Sequence, residues 1–155
     1  MNIDERLKRF FAESLGIIRQ YMLISLQKLG EECVARIRDR SAEESWIDHT
    51  GNLRSSIGYA VYDYGVKYMQ SSFSTVLGGV EGSSTGAKMV ADLASEFTNV
   101  YALVVVAGMN YADYVEAIET KDVLESTKQW AMSIVTERLN RAKEEAIKKI
   151  NTIQL

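Results

Sequence analysis

Proline is absent from the 155 residues, and cysteine and histidine occur once each, as Cys33 and His49. One cysteine excludes an internal disulfide, and one histidine leaves no Cys/His set to hold zinc. The chain is therefore suited to a reducing compartment. Without proline, long helices are free of their usual breaker. No run approaches the roughly 20 apolar residues of a membrane-spanning helix. The opening MNIDERLKRFF lacks the apolar stretch of a secretory signal, so the expected origin is cytosolic, with no membrane partner. Basic residues are scarce where nucleic acid would need them. Residues 1–40 hold eight Lys/Arg against six Asp/Glu, residues 41–120 three against ten, and residues 121–155 seven against five. An acidic centre in a chain of net charge -3 is a poor grip for phosphates, which require a concentrated basic face.

What remains is ordinary globular material: 46% hydrophobic and 25% charged residues in a length that suits one domain, 1–155. Ile3, Leu7, Phe11, Leu15, Ile18, Met22, Leu26, Leu29, Cys33 and Ile37 recur at steps of three or four, which predicts one long helix over 1–40. It would reach roughly 55 Å, beyond the width of a compact domain of this size, so part of it calls for cover from outside. Gly16 and Gly30 are the places where it could bend or break. The period then changes to two: Ile57, Tyr59 and Val61 alternate with Gly58, Ala60 and Tyr62, which predicts a strand. A three-residue loop Asp63-Tyr64-Gly65 should return the chain through Val66 to about Phe73. LGGVEGSSTG, 77–86, reads as a loop before a short helix GAKMVADLASEF with Met89, Val90, Leu93 and Phe97 inward. VYALVVVAG, from Val100 to Gly108, reads as the central strand, buried on both faces. A second long helix over 122–153 carries Val123, Thr127, Trp130, Ile134, Leu139, Ala142, Ala146, Ile150 and Ile153 at helical spacing, and either Asp122 or Ser126 could cap it. The fold class is therefore α+β. A small antiparallel sheet of three to four strands, its core over 50–119, packs with long N- and C-terminal helices and a short middle helix.

Candidate chemistry is thin. LGGVEGSSTGAK is not a P-loop, since only three residues separate Gly82 from Gly86 and Ala87 precedes Lys88. His49, Asp48, Ser55 and Ser56 have the letters of a triad without a nucleophile elbow. Asp113, Glu116 and Glu119 would centre an enzyme only if a deep pocket joined them to His49. Tyr59, Tyr62, Tyr64, Tyr68, Tyr101, Tyr111 and Tyr114 form a tyrosine-rich set with few cations nearby, which favours packing or subunit contact over base stacking.

The stretch WIDHTGNLRSSIGYAV, 46–61, reads as a corner between the first helix and the first strand. Thr50 is placed to accept the N–H of Asn52 or Leu53, Gly51 allows a tight passage, Leu53 and Ile57 share a core, and Arg54 projects. HTGNLRSSIGYAV resembles the T-G-x-L-R-x-S-I signature of a family of tailed-bacteriophage neck proteins, the tail-completion or minor tail components that join head to tail. MNYADYVEAIE is similar to that family's second signature, Y-A-x-Y-V-E, although the chain continues AIETKDVLEST where relatives commonly run on with glycine and a basic or aromatic series. The matching residues are Thr50, Gly51, Leu53, Arg54, Ser56 and Ile57 in the first motif, and Tyr111, Ala112, Tyr114, Val115 and Glu116 in the second.

The resemblance implies a virion structural protein of the neck, made in the bacterial host cytoplasm. It would assemble as a hexameric ring between connector or head-closure proteins and tail-tube or terminator proteins. It implies no catalysis, no cofactor and no metal, and a channel through which DNA passes without specific binding. Two further expectations join it: an Arg54–Glu116 pair, and an acidic channel lining that lets DNA slide. The rival readings are a small cytosolic enzyme using Asp113 and Glu116, and a dimeric prophage interaction module.

Overall fold

The computed structural model describes residues 1–39, 50–108 and 123–154. Helix α1 spans Ile3–Arg38 without a break. Its start is a capping box: Asn2 Oδ1 accepts the Glu5 N–H at 2.9 Å, and the Asn2 N–H donates to the Glu5 carboxylate at 3.1 Å. A single turn, α2 (Asn52–Ser55), leads into β1 (Ile57–Asp63), which pairs antiparallel with β2 (Val66–Gln70) and with β3 (Tyr101–Ala107). Helix α3 (Val80–Leu93) and a 3-10 turn (Ala94–Glu96) precede β3, and α4 (Glu125–Ile150) closes the chain. The α+β class, the three-stranded antiparallel sheet and the three principal helices are as the sequence predicts.

The alternation in β1 sorts the core into two faces. Tyr59 and Val61 meet Leu23 and Leu26 of α1 on one side. Ala60 and Tyr62 meet Val90 of α3 and the inner positions of β3 on the other. With both faces covered, every β1 residue is buried, and β1 is the centre of the order β2-β1-β3. This corrects the expectation for Val100–Gly108. Only Ala102, Val104, Val106 and Ala107 of β3 are buried, while Tyr101, Leu103 and Val105 are half-covered beneath α1 and α4. A continuous apolar run does not distinguish a strand with two closed faces from one with a closed face and a half-closed one.

Three local expectations also change. The hairpin has a two-residue turn, Tyr64-Gly65, with Asp63 paired to Val66 and φ of 49° and 86°. Positive φ at both centres is the type I′ geometry that suits strand twist. Tyr64 is held there by its N–H to the Val100 carbonyl at 3.0 Å and by an edge-to-face contact with Tyr101 at 5.1 Å. At the start of α4 the N-cap position is Leu124, whose own side chain makes no cap hydrogen bond; Ser126 lies within the first turn rather than at the cap, and Asp122, the other candidate, is outside the described residues. The helix does not break at Gly16 or Gly30. Gly16 is exposed with no atom within 4 Å of an added Cβ. Gly16→Ala should accordingly raise stability by about 0.5–1 kcal/mol, the ordinary helix-interior gain. Urea denaturation checks this, and an unchanged or lower midpoint would contradict it.

Helices α1 and α4 run antiparallel. Arg138 of α4 forks onto the Glu32 carboxylate at 2.7 and 3.2 Å, and Arg36 lies over the Trp130 ring at 4.2 Å. The 36 residues of α1 reach about 54 Å, whereas a seven-residue strand reaches about 23 Å. The sheet therefore cannot cover the whole helix. It covers the C-terminal half, where Leu26, Leu29, Cys33 and Ile37 are buried, and the Arg19–Asp63 ion pair sits at the hairpin end. Beyond it α1 continues beside the end of α4 as a two-helix stem, and Ile3, Leu7, Phe11 and Leu15 are exposed at 72%, 38%, 60% and 67%. The apolar stripe is continuous along α1, but the sheet beneath it ends, so this part of the helix is the part that calls for cover from outside.

Cys33 is buried where α1 meets the sheet, and burial, with the neighbouring Glu32 charge adding, pushes its thiol from 9.0 to about 11. A folded-state value above the unfolded one means this contribution is complete below about pH 9 and is lost as pH rises towards 11. Thiol labelling at pH 8 should be slow in the native chain and fast in denaturant. Equal rates would contradict the placement.

Candidate functional site

The corner built from the first motif ties the end of α1 to the sheet and to α3. Thr50 Oγ1 accepts the Asn52 N–H at 3.2 Å, as the sequence predicts. Gly51 has φ 80°, and an added Cβ would fall 2.8 Å from the Val76 carbonyl carbon, so both backbone conformation and space demand glycine. Leu53 and Ile57 are buried together with Ile37, Ala107 and Val123, joining the corner to α1, β3 and the start of α4. The Arg54 guanidinium donates to the Arg38 carbonyl at the C-terminal end of α1, where a cation satisfies an orphan acceptor and meets the negative end of the helix. Arg38, itself partly buried, is held below its ordinary pKa by desolvation, with the Arg54 charge contributing.

The two serines are committed to the backbone. Ser55 Oγ accepts the Val76 N–H at 2.8 Å and faces the Val76 carbonyl at 3.4 Å. Ser56 Oγ donates to the Leu53 carbonyl at 2.6 Å, and the Ser56 carbonyl accepts the Gly108 N–H at 3.2 Å. Both serines are fully buried. A hydroxyl engaged in this way locks a corner and is not presented to a substrate.

The segment expected to be a glycine-rich loop is helical from Val80, and its glycines explain why. Gly82 and Gly86 are four positions apart on one face of α3 and are buried. An added Cβ at Gly82 would lie 2.6 Å from the Asn52 carbonyl carbon; one at Gly86 would lie 2.7 Å from the Phe73 ring and overlap the Ser56 carbonyl. Gly79 meets the Gly51 backbone in the same way, at 2.5 Å from its carbonyl carbon. Asn52 Oδ1 also accepts the Gly82 N–H at 3.1 Å, so α3 is seated directly on the corner's backbone. The steps of three and four between Gly79, Gly82 and Gly86 were the signal available in the sequence. With α3 seated there, Val90 is buried as predicted, Leu93 and Phe97 are half-buried, and Met89 turns outward at 41% exposure.

The second motif, Tyr111, Ala112, Tyr114, Val115 and Glu116, lies outside the described residues, as do Asp113, Glu119, Asp48 and His49. The expected Arg54–Glu116 pair lies outside them for the same reason. Of the tyrosines, Tyr59 and Tyr62 are core residues, and Tyr64 and Tyr68 are exposed near the hairpin. Tyr62 Oη donates to the Val90 carbonyl at 2.5 Å. Tyr59 is pushed up to about 12 by burial and by the Glu31 carboxylate to which its hydroxyl donates.

An apolar groove of about 490 Å³ lies where α1, α4 and β3 converge, lined by Met22, Leu26, Tyr64, Tyr101, Met132 and Leu139. Among the described residues, no carboxylate lines it, and no group of three or more His, Cys, Asp or Glu could hold a metal ion. No described helix is long and apolar enough to cross a membrane. No protein-family model, no curated protein and no solved structure matches the chain.

Proposed function

We propose that this chain is a structural subunit of a tailed-phage neck, a ring-forming tail-completion component between head connector and tail. The observation that carries the reading is the use made of the T-G-x-L-R-x-S-I residues. Leu53, Ser56 and Ile57 are buried, and Arg54 anchors the end of α1. The motif fixes the angle between a long helix and a sheet, as an assembly subunit requires, and its buried hydroxyls bond to backbone. The stem, whose exposed apolar row no described residue covers, supports the same reading.

On this reading the ring is a hexamer whose neighbours are connector or head-closure proteins on one side and tail-tube or terminator proteins on the other. DNA passes through without specific binding, helped by acidic side chains at the channel, and the protein resides in the virion after synthesis in the host cytoplasm. Negative-stain imaging of the purified chain tests this. Closed rings with a central channel, and linear duplex DNA that is not retained at moderate salt, are expected. Particles without a channel, or tight DNA binding that survives salt, would count against it.

A further inference from the structure

The outer edge of β3 is open, and we infer that it seats one extended, uncharged arm of another protein, added to the sheet as a fourth strand. The parity of the β1 hydrogen bonds identifies the open groups. Tyr59 turns its N–H and C=O to Ser71, on the β2 side. Gly58, Ala60 and Tyr62 therefore face β3, and their partners Val106, Val104 and Ala102 face back. Val100 and Gly108, bonded to Tyr64 and Ser56, keep the same parity. Tyr101, Leu103 and Val105 are left with N–H and C=O groups pointing away from β1, and among the described residues no hydrogen bond reaches those groups.

The two edges of the sheet are built differently. In β2 the pairing is broken by a bulge opposite Val61 and Tyr62, and Lys67 is exposed; both features deter a further strand. β3 pairs with β1 residue for residue over all seven positions and carries no charge. The apolar groove continues this edge, with Tyr101 and Leu103 on one wall and Ala131, Met132 and Val135 of α4 on the other. Packed helices lie about 8–10 Å apart and paired strands about 4.8 Å, so a strand beside β3 lies over the groove. Every second side chain of that strand enters it. Among the described residues no charged side chain lines the groove, so the entering side chains are apolar.

Open ladder groups specify the occupant as an extended backbone, the mode of strand addition. A second copy's sheet does not fit there. Antiparallel pairing of two β3 edges about a two-fold would bring the other copy's α1, which lies beneath its own β1 and β3, into the place that α4 fills. The occupant is therefore a lone strand with no helix layer beneath it.

Residue-resolved hydrogen exchange tests the inference, with a blocked seven-residue peptide of alternating valine and threonine at millimolar concentration as the probe. In the chain alone, the Val104 and Val106 amides should be protected, and those of Leu103 and Val105 should exchange at least about 100-fold faster. The peptide should slow these two by at least about tenfold, and its analogue N-methylated on the edge facing β3 should not. Met132→Asp, at a side chain 70% exposed on the groove wall, should keep the wild-type circular dichroism and lose the effect. Leu103 and Val105 amides as protected as Val104 in the chain alone would overturn the open edge. No slowing by the peptide, or equal slowing by the methylated analogue, would overturn the seat. None of these outcomes bears on the ring reading, which the mass in solution decides.

Discussion

Gly82→Ala is expected to destabilise the chain by about 3 kcal/mol, despite alanine being the better helix former. Its Cβ would lie 2.6 and 2.7 Å from the carbonyl carbon and Cα of Asn52, which are backbone atoms with no rotamer to change. Relief requires α3 to lift from the corner, which stretches the Gly82 N–H bond to Asn52 Oδ1 and parts Val90 from Tyr62. The urea midpoint should fall by roughly 1–3 M at the m-value of a domain this size. Gly78→Ala is the matched control: its nearest neighbour is the Thr50 carbonyl at 4.0 Å, and it should change little. A Gly82→Ala chain as stable as wild type would mean that α3 is not seated on the T-G-x-L-R-x-S-I corner.

Gly30→Ala should cost about 2 kcal/mol, in the opposite direction to Gly16→Ala in the same helix. An added Cβ at Gly30 meets the Tyr59 ring at 2.5 Å and Leu103 Cδ1 at 2.9 Å. Tyr59 is 2% exposed, and its hydroxyl is tied to Glu31, so the ring has no free space to swing into. Shortening the ring should restore room. The Gly30→Ala, Tyr59→Leu double variant is expected to be more stable than the sum of the two single losses by at least about 1 kcal/mol. Additive losses would place the helix farther from the sheet than the close approach described above.

These two glycines mark how far the sequence could be read. The α1 periodicity and the β1 alternation were legible because each obeys a geometric period, and the corner was legible because Thr50, Gly51, Leu53 and Ile57 each have a local reason for their place. Gly82 and Gly86 read as loop residues because glycine weakens an isolated helix; only the opposing Asn52 and Ser56 backbone makes it the residue that fits. The same absent context explains β3. Hydropathy alone does not place an apolar run such as Leu103 to Val106 at the centre or the edge of a sheet, and only pairing on both sides of its own backbone makes β1 the centre. The stripe from Ile3 to Leu15 was identified correctly as apolar, but periodicity does not say where the sheet beneath a helix stops. Of the candidate site, the first motif is accounted for residue by residue, and the second lies beyond the described residues.

The central claim is that the chain is a ring subunit, and the mass of the purified wild-type protein in solution tests it most directly. Light scattering across a concentration series should show a closed hexamer, or a shift towards one as concentration rises, built from subunits of 17.4 kDa. A chain that stays monomeric, or stops at a dimer, at every concentration would contradict the account.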